Sequence, residues 1–436
     1  MFRKKRITAA AAVAASAALL LAGCAGGEEP GAGATYDPDE KVTLDFSFWG
    51  NDVRADLYNR AIEAFNEEYP NIKVNVSFLD FPAFWEKRQT EAAGGGLPDV
   101  MQFDYSYLRQ YSENGLLLDL NPYLGGVIDT DPLPESVLKI GVVGDQTTAI
   151  PTSTNAWGLF LNPVLLEKAN VEAYPGAGSW EDYDAWMSEV TSAAADSGIE
   201  LWGGTDYNMR IQNFEIYQRA NGEDLFTAEG EPNFTEDDLL EFWKLGAANR
   251  DAEVVITQRK LEEISPLSGF DAGLTASELT WDNFGAGYLG NLGEGYTELD
   301  LIEPPVTKEG AQDLYLKPSM LHAVSANTDH PEAAVTLLNF LVNSAEVGEI
   351  FGTNRGLPAS ETQLEGAQLD AMGEQIKEYE ASIADRLGDA PPVPIVGYGT
   401  LEQKFLELGR EIGYGTTTPE AAVEQFFTEM DVVVNG

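Results

Sequence analysis

The stretch Val-Thr-Leu-Asp-Phe-Ser-Phe-Trp-Gly-Asn-Asp, residues 42–52, decides how we interpret the fold of this chain. Its apolar side chains occupy alternate positions, at Val42, Leu44, Phe46 and Phe48. This alternation predicts a β-strand, which breaks at Gly50 into a polar loop. The loop carries the indole of Trp49, the amide of Asn51 and the carboxylate of Asp52, so we expect it to present a ligand site. The alternative is that Trp49 closes a core and that Asn51 or Asp52 only caps a helix.

The residues that follow predict two further strands separated by helices. An apolar stripe predicts a helix over 57–69, alternation predicts a strand over 72–78, and a helix over 83–93 precedes a short strand at 99–103. This β-α-β-α-β order is typical of a doubly wound, mostly parallel sheet. If the spatial order is 2-1-3, the loops after the first and third strands flank a ligand crevice. Those loops carry Trp49, Asn51, Asp52, Asp104 and Tyr105. No glycine-rich phosphate loop follows either strand, so a nucleotide is not suggested.

Later segments repeat the combination of aromatic and polar side chains. Residues 201–207 predict a strand that opens into a loop with Trp202 and Tyr207, and residues 279–283 read Leu-Thr-Trp-Asp-Asn. The second of these contributes Trp281, Asp282 and Asn283. The hydroxyl-rich segment 147–157, which contains Asn155, predicts a first crossing between two lobes. Residues 301–307, with two prolines, predict a return crossing.

The length and the charge of the chain limit its class. At 436 residues it exceeds one ordinary domain, which favours two lobes. The formal charge is −46, and because residues 1–23 carry four basic and no acidic side chains, the remainder carries −50. Such a chain repels nucleic acid and anionic lipid headgroups, so we expect no nucleic-acid partner. The charge favours an extracytoplasmic protein, although acidic proteins also occur in the cytosol.

The amino terminus resembles a bacterial lipoprotein signal. Basic residues 3–6 precede the apolar run 7–21, and Leu-Ala-Gly-Cys follows at 21–24. The resemblance implies that residues 1–23 are removed, that Cys24 is lipidated, and that residues 24–40 form a linker to the outer face of the membrane. The alternative is an ordinary cleaved signal with an incidental cysteine. Cys24 is the only cysteine, which excludes intrachain disulfides and argues against a cysteine-based metal site. We predict no metal and no cofactor.

Short motifs along the chain occur together in a specific order. They are FNEEYPNIKV (65–74), GLPDVMQ (96–102), GLLLDL (115–120), AIP (149–151) with Asn155, KPSM (317–320), HPEAA (330–334) and RGLP (355–358). With this set, the chain from about residue 42 onward resembles family 1 of the bacterial extracellular solute-binding proteins. These are receptor lipoproteins of carbohydrate ABC importers, distantly related to maltose-binding protein.

The resemblance implies a type II periplasmic-binding-protein-like α/β fold with two lobes, each a doubly wound mostly parallel sheet, and three crossings at the hinge. It assigns residues 41–150 and 306–345 to lobe 1, and residues 151–305 and 346–436 to lobe 2. It also implies a monomer without enzyme activity that delivers a mono- or oligosaccharide to a membrane permease.

A sugar site needs flat aromatic platforms for C–H faces and polar groups for hydroxyls. The candidate ligand-binding residues are Trp49, Asn51, Asp52, Asp104, Tyr105, Asn155, Trp202, Tyr207, Trp281, Asp282, Asn283 and Arg355. We hypothesise that Trp49 and Trp281 stack on the sugar from opposite lobes while Asp52, Asp104 and Asp282 accept hydroxyl hydrogen bonds. Arg355 could instead tie the hinge by pairing with a carboxylate.

Other function classes stay open at this point. A secreted carbohydrate-active hydrolase would need a carboxylate pair, which sequence cannot exclude. Only two histidines occur, His322 and His330, and no Gly-x-Ser-x-Gly elbow is present. A solute-binding protein for a polyamine, a peptide or glycerol phosphate is the second alternative. A surface adhesin is disfavoured because the chain has no repeats.

Overall fold

The computed structural model describes residues 35–435. The predicted signal peptide, residues 1–23, and the predicted lipidation site, Cys24, lie outside these described residues. The structure of the first part of the predicted linker is therefore not described either.

Strands within residues 35–435 form one large sheet and a small hairpin. They are β1 (Val42–Trp49), β2 (Ile72–Leu79), β3 (Val100–Phe103), β4 (Val142–Val143), β5 (Gln146–Thr147), β6 (Ile150–Leu161), β7 (Ser277–Trp281), β8 (Asp300–Ile302), β9 (Leu316–Val324) and β10 (Leu357–Pro358). Strands β4 and β5 form the hairpin, and the others belong to the large sheet.

Helices cover the sheet and connect its strands. The α-helices of the same range are α1 (Asp52–Glu68), α2 (Phe81–Gly94), α3 (Tyr105–Glu113), α4 (Glu135–Lys139), α5 (Pro163–Ala169), α6 (Trp180–Asp196), α7 (Ile211–Arg219), α8 (Glu236–Lys244), α9 (Ala247–Asp251), α10 (Gln258–Ile264), α11 (Gly285–Leu292), α12 (Pro331–Asn343), α13 (Ala345–Phe351), α14 (Glu361–Gly366), α15 (Ala371–Ser382), α16 (Tyr398–Tyr414) and α17 (Pro419–Asn435).

The first three strands pair in the order β2-β1-β3, and both pairings are parallel. The expected 2-1-3 order is confirmed. Helix α1 ends just before Pro70, and α2 ends where Gly95 adopts a left-handed conformation with φ of 70°. Because both helices return the chain in the same sense, the carboxyl ends of β1 and β3 lie at one edge of the sheet. The loop after β3 therefore faces the place where a ligand would enter.

Strand β6 connects the two halves of the molecule. Its first part pairs antiparallel with β9, with Ile150 opposite His322 and Ala156 opposite Leu316. Its second part pairs antiparallel with β7 and β8, with Trp157 opposite Trp281. The segment predicted as a crossing and the strand predicted after it are thus one continuous strand, and every residue of it is buried. From β6 onward, the strand pairings among residues 35–435 are antiparallel, and parallel pairing occurs only in isolated bridges, for example Trp202 with Thr275.

The buried apolar side chains separate into clusters on either side of this connection. One cluster includes Phe46, Tyr58 and Leu338, and another includes Trp157 and Phe405. The first of these also takes in Val347, Phe351 and Ala359, which the predicted boundaries assign to lobe 2. The exact lobe boundaries stay a prediction.

One predicted helix is interrupted. The sequence predicts a helix over 236–249, but the structure ends α8 at Lys244 and begins α9 at Ala247. Gly246 lies between them with φ of 69°, a conformation that favours glycine. A Cβ at this position would also approach the hydroxyl of Tyr207 to 2.7 Å. The prediction of one continuous helix was therefore wrong because the left-handed backbone of Gly246 interrupts it.

Within residues 35–435, no single helix has the length and hydropathy to cross a membrane. Helices α12 and α13 pass that test only as a pair, and they are bent by 59° relative to each other.

Candidate ligand-binding cleft

A cavity of about 310 Å³ lies where distant parts of the chain meet. Its walls come from the start of α3, from α7, from the end of β7, from the start of β9 and from residues 391–402. The volume is at the lower end of the range for small-molecule sites. Because its walls come from both predicted lobes, a solute bound here would contact both of them.

Trp281 forms one wall of the cavity and is held in a fixed orientation. It is half-buried at the end of β7, with its ring perpendicular to those of Trp157, at 5.0 Å between centroids, and Tyr315, at 6.0 Å. The indole of Trp157 is itself fixed, because its Nε1 donates a hydrogen bond of 2.8 Å to Oδ1 of Asn213. A rigid indole at a cavity is the platform that the C–H face of a pyranose requires.

Asp104 and Tyr105 reach the cavity from the loop after β3, as the sequence predicted. The Asp104 carboxylate caps α3 by accepting hydrogen bonds from the backbone N–H of Ser106, at 2.9 Å, and from its hydroxyl. Both bonds use Oδ1, which leaves Oδ2 for a ligand. The Tyr105 hydroxyl donates to the carbonyl oxygen of Pro391 at 3.2 Å. Burial raises the pKa of Tyr105, so its phenol stays protonated at neutral pH.

Several lining residues were not identified from sequence. These are Gln212 and Glu215 on α7, Tyr315 and Lys317 near the start of β9, and Tyr398 and Glu402 on α16. The buried carboxylate of Glu215 accepts a hydrogen bond of 2.6 Å from the Tyr315 hydroxyl, and burial raises its pKa to about 7. The Gln212 amide donates to Glu402 at 2.8 Å. Gln212 and Glu215 lie three residues apart in the sequence, but nothing in this spacing indicated a ligand.

Trp49 lies in a different environment. It is 9% exposed, and its ring packs against Phe81, Phe84 and Trp85 with centroids 5.4 to 6.1 Å apart. It does not line the cavity at Trp281. Asn51 and Asp52 are exposed at the start of α1, where the Asn51 side chain accepts a hydrogen bond from the Arg54 N–H at 3.1 Å. The structure therefore shows the helix-capping alternative for Asn51.

Replacement of Asn51 by alanine separates the two roles considered for this residue. Loss of the cap should lower the free energy of unfolding by about 1 kcal/mol, because one N–H at the start of α1 loses its acceptor. Urea denaturation measures this change, and Asn51→Ser is the matched control, since serine also caps helices. We expect sugar affinity to be unchanged, and a tenfold loss of affinity would instead indicate ligand contact.

Trp202 and Tyr207 also lie away from the cavity. Tyr207 is buried against Trp180, with ring centroids 4.8 Å apart, and its hydroxyl donates to Asp184 at 3.2 Å. Trp202 lines a separate, more open depression of about 510 Å³ together with Tyr414. That depression is larger, but its walls come from one side of the molecule only. We therefore place the candidate site at Trp281.

Of the remaining predicted residues, Asn283 is exposed. Asn155 is buried on β6, and Asp282 is fully buried beside that strand. Oδ2 of Asp282 accepts a hydrogen bond of 2.8 Å from the Ala156 N–H, and burial raises the pKa of Asp282 well above its usual range. None of these side chains lines the cavity.

Arg355 is buried and connects several segments. Its guanidinium lies 3.8 Å from the ring of Phe351 and donates to the amide oxygen of Gln363 at 3.4 Å. Its carbonyl oxygen accepts hydrogen bonds from the hydroxyls of Ser153 on β6 and Ser319 on β9. Its side-chain partners are therefore a ring and an amide, and among the described residues it forms no pair with a carboxylate, so the hinge role stays a prediction.

Comparison with known proteins gives the family. The sequence model described as "bacterial extracellular solute-binding protein" matches residues 51–347, which is more than half of the chain. The chain belongs to this family. This solute-binding protein is therefore of the ABC-transporter type and works outside the cytoplasm, as the sequence resemblance indicated.

Solved structures confirm the two-lobed α/β fold of this solute-binding protein. A family 1 extracellular solute-binding protein of Alicyclobacillus acidocaldarius is 28% identical, with a TM-score of 0.77 over 92% of this chain and 100% of that chain. An oligogalacturonide-binding protein of Yersinia enterocolitica is 21% identical, with a TM-score of 0.78 over 90% and 99%. A substrate-binding protein of Listeria monocytogenes in complex with cycloalternan is 21% identical, with a TM-score of 0.69 over 90% and 98%.

The family is one of binding proteins, in which enzyme activity is not typical. Two similar structures, each 21% identical, are described as de novo designed esterases. The absence of enzyme activity in this solute-binding protein therefore stays a prediction.

Proposed function

We propose that this solute-binding protein captures a mono- or oligosaccharide in the cavity at Trp281 and delivers it to the permease of an ABC importer. The observation that carries the proposal is the half-buried indole of Trp281 in a cavity that is also lined by hydrogen-bonding side chains. Asp104, Gln212 and Glu402 supply acceptors and a donor for hydroxyl groups, and Trp281 supplies a flat apolar face. This combination matches the two kinds of surface that a pyranose presents.

Delivery requires a change in shape rather than a chemical step. A solute that contacts both lobes stabilises the closed arrangement by the difference between its affinities for the two forms. Strand β6 passes from one half of the sheet to the other and is the connection about which the lobes could move. We propose that the permease recognises the closed form.

A thermal-shift screen of mono- and oligosaccharides tests the carbohydrate proposal. A ligand present at 100 times its Kd stabilises the folded state by about 2.7 kcal/mol, so the correct sugar should raise the Tm by several degrees. The same plate should contain putrescine, a peptide mixture and glycerol phosphate. A shift with one of these solutes and with no sugar would contradict the proposal.

Turnover of an oligosaccharide distinguishes a hydrolase from a binding protein. The protein should be incubated with each stabilising oligosaccharide, and the products should be separated by chromatography. We expect the oligosaccharide to remain intact. Release of a shorter saccharide would identify the protein as an enzyme instead.

We also propose that Cys24 carries the lipid that holds the protein at the outer face of the membrane. Each methylene that enters the bilayer contributes about 0.8 kcal/mol, so two or more acyl chains give stable anchoring. Cys24→Ser should move the protein from the membrane fraction to the soluble or secreted fraction. Gly26→Ser, which keeps the thiol, is the matched control and should stay with the membrane. Membrane retention of Cys24→Ser would contradict lipid anchoring at this residue.

A further inference from the structure

The cavity is lined by more acidic than basic side chains. Asp104 at the start of α3, Glu215 on α7 and Glu402 on α16 contribute three carboxyl groups, whereas Lys317 contributes the one ammonium among the lining residues. Arg219 lies behind Tyr315, but its guanidinium is paired with Asp224. The carboxyl groups come from separate segments, so their convergence results from the tertiary fold.

Lys317 shows where an ammonium can lie in this cavity. Its Nζ lies 4.9 Å from the centroid of the Trp281 ring, over the face that we assign to the ligand. Within residues 35–435, Lys317 forms no ion pair with a carboxylate within 4.0 Å. The ring of Tyr315, almost perpendicular to that of Trp281, forms an adjacent wall. Aromatic faces attract cations, and this attraction strengthens when the cation is shielded from water.

The excess of carboxyl groups and the position of the Lys317 ammonium at Trp281 together favour a cationic solute. Burial raises the pKa of Glu215 to about 7, and a bound ammonium would favour its ionised form. A solute with a carboxylate would instead meet three carboxyl groups and gain only Lys317. A neutral sugar would offer the carboxyl groups hydroxyl hydrogen bonds but no positive charge.

We propose that this cleft selects solutes that carry a primary ammonium group, which displaces Lys317 from Trp281 and is held by the surrounding carboxylates. The choice of a sugar as the ligand rests on the proposed function. Within the carbohydrate class, the preferred ligands are sugars with a free amino group. The shared chemistry is the ammonium, which a polyamine could also supply.

Titration calorimetry with matched probes tests the selection. The probes are glucosamine, N-acetylglucosamine, glucose, galacturonate, the disaccharide of glucosamine, cellobiose and putrescine, each measured at a pH at which the amines are protonated. We expect the free amine to bind about tenfold or more tightly than its acetylated or hydroxyl counterpart, because hydrogen bonds to charged groups are the stronger ones. Equal affinities, tighter binding of galacturonate or no binding by any probe would overturn the inference.

Variants of the cavity connect the selection to these side chains. Glu215→Gln and Glu402→Gln should each reduce the ratio of the affinity for the free amine to the affinity for glucose. Lys317→Met should increase affinity for the amine, because no internal ammonium competes for the Trp281 face. Glu63→Gln, which removes an exposed carboxylate on α1, is the control and should change neither affinity. A preference that survives both glutamine variants would overturn the assignment to these residues.

The outcome also separates this inference from the proposed function. If neutral and amino sugars bind equally, the carbohydrate function stands and the ammonium selection fails. If putrescine binds and no saccharide does, the ammonium selection stands and the carbohydrate function fails.

Discussion

Trp281→Ala should weaken binding of the stabilising sugar by about tenfold or more. The indole is the flat wall of the cavity, and loss of a stacked ring costs on the order of 1 kcal/mol or more. Its perpendicular packing on Trp157 fixes its orientation before a ligand arrives, so little ordering entropy is lost on binding. Titration calorimetry of the wild type and the variant with the same sugar measures the difference. Trp281→Phe should retain part of the affinity because it keeps an aromatic face.

Trp202→Ala is the matched control for this experiment. Trp202 is also a half-buried tryptophan, but it lines the separate depression rather than the cavity. We expect its replacement to leave the affinity unchanged. If Trp202→Ala lost affinity and Trp281→Ala did not, the site would lie at the outer depression, and the assignment to Trp281 would be wrong.

Asp282→Asn should stabilise the protein at alkaline pH. Asp282 is fully buried beside Glu380, and Oδ1 of Asp282 has no hydrogen-bond partner among the described residues. Burial, together with the neighbouring acid, raises the pKa of Asp282, and burial raises that of Glu380 to about 7. A single proton shared by the two carboxyl groups would let one donate a hydrogen bond to the other. The asparagine amide can donate to Glu380 without a proton, while its oxygen still accepts the Ala156 N–H.

The direction of the pH effect follows from these shifts. Folded pKa values above the unfolded ones mean that the folded state binds more protons between about pH 4 and pH 7. This contribution to stability is fully present below the unfolded pKa and is lost as the pH rises through the folded pKa. The Tm of the wild type should therefore fall between pH 5 and pH 8. Glu215 and Asp184, whose pKa values burial raises to about 7 and about 6, add to this fall.

The variant should lose less stability over the same pH range. We expect the free energy of unfolding of Asp282→Asn to exceed that of the wild type at pH 8 and to approach it at pH 5. Denaturant unfolding at the two pH values measures this difference. Asp52→Asn, at an exposed carboxylate on α1, is the control and should leave the pH dependence unchanged. A variant less stable than the wild type at pH 8 would contradict the shared-proton account.

The sequence predicted the fold where local patterns and tertiary packing agree. The alternation in β1 and the helical stripe before Pro70 are strong local signals, and they led to the observed β2-β1-β3 order. The loop after β3 was predicted for the same reason, and it brings Asp104 and Tyr105 to the cavity. The prediction of one helix over 236–249 failed because Gly246 adopts a left-handed conformation, which the apolar periodicity did not indicate.

The site was only partly predictable because the burial of an indole decides whether it packs in a core or is open to a ligand. Trp49 and Trp281 both end strands and look alike in sequence. Trp49 is covered by Phe81 and Phe84 of α2, whereas Trp281 stays open to the cavity. Glu215, Lys317 and Glu402 were missed for a related reason. In a chain with 72 acidic residues, no local signal separates a cavity carboxylate from a solvated one.

A crystal structure of the protein with its most stabilising sugar tests the central claim most directly. We predict that the sugar lies between the lobes with a ring face against Trp281, within hydrogen-bond distance of Asp104 or Glu402, and that Lys317 has left the indole. A sugar bound in the depression at Trp202 and Tyr414, with the Trp281 cavity unchanged, would contradict the account.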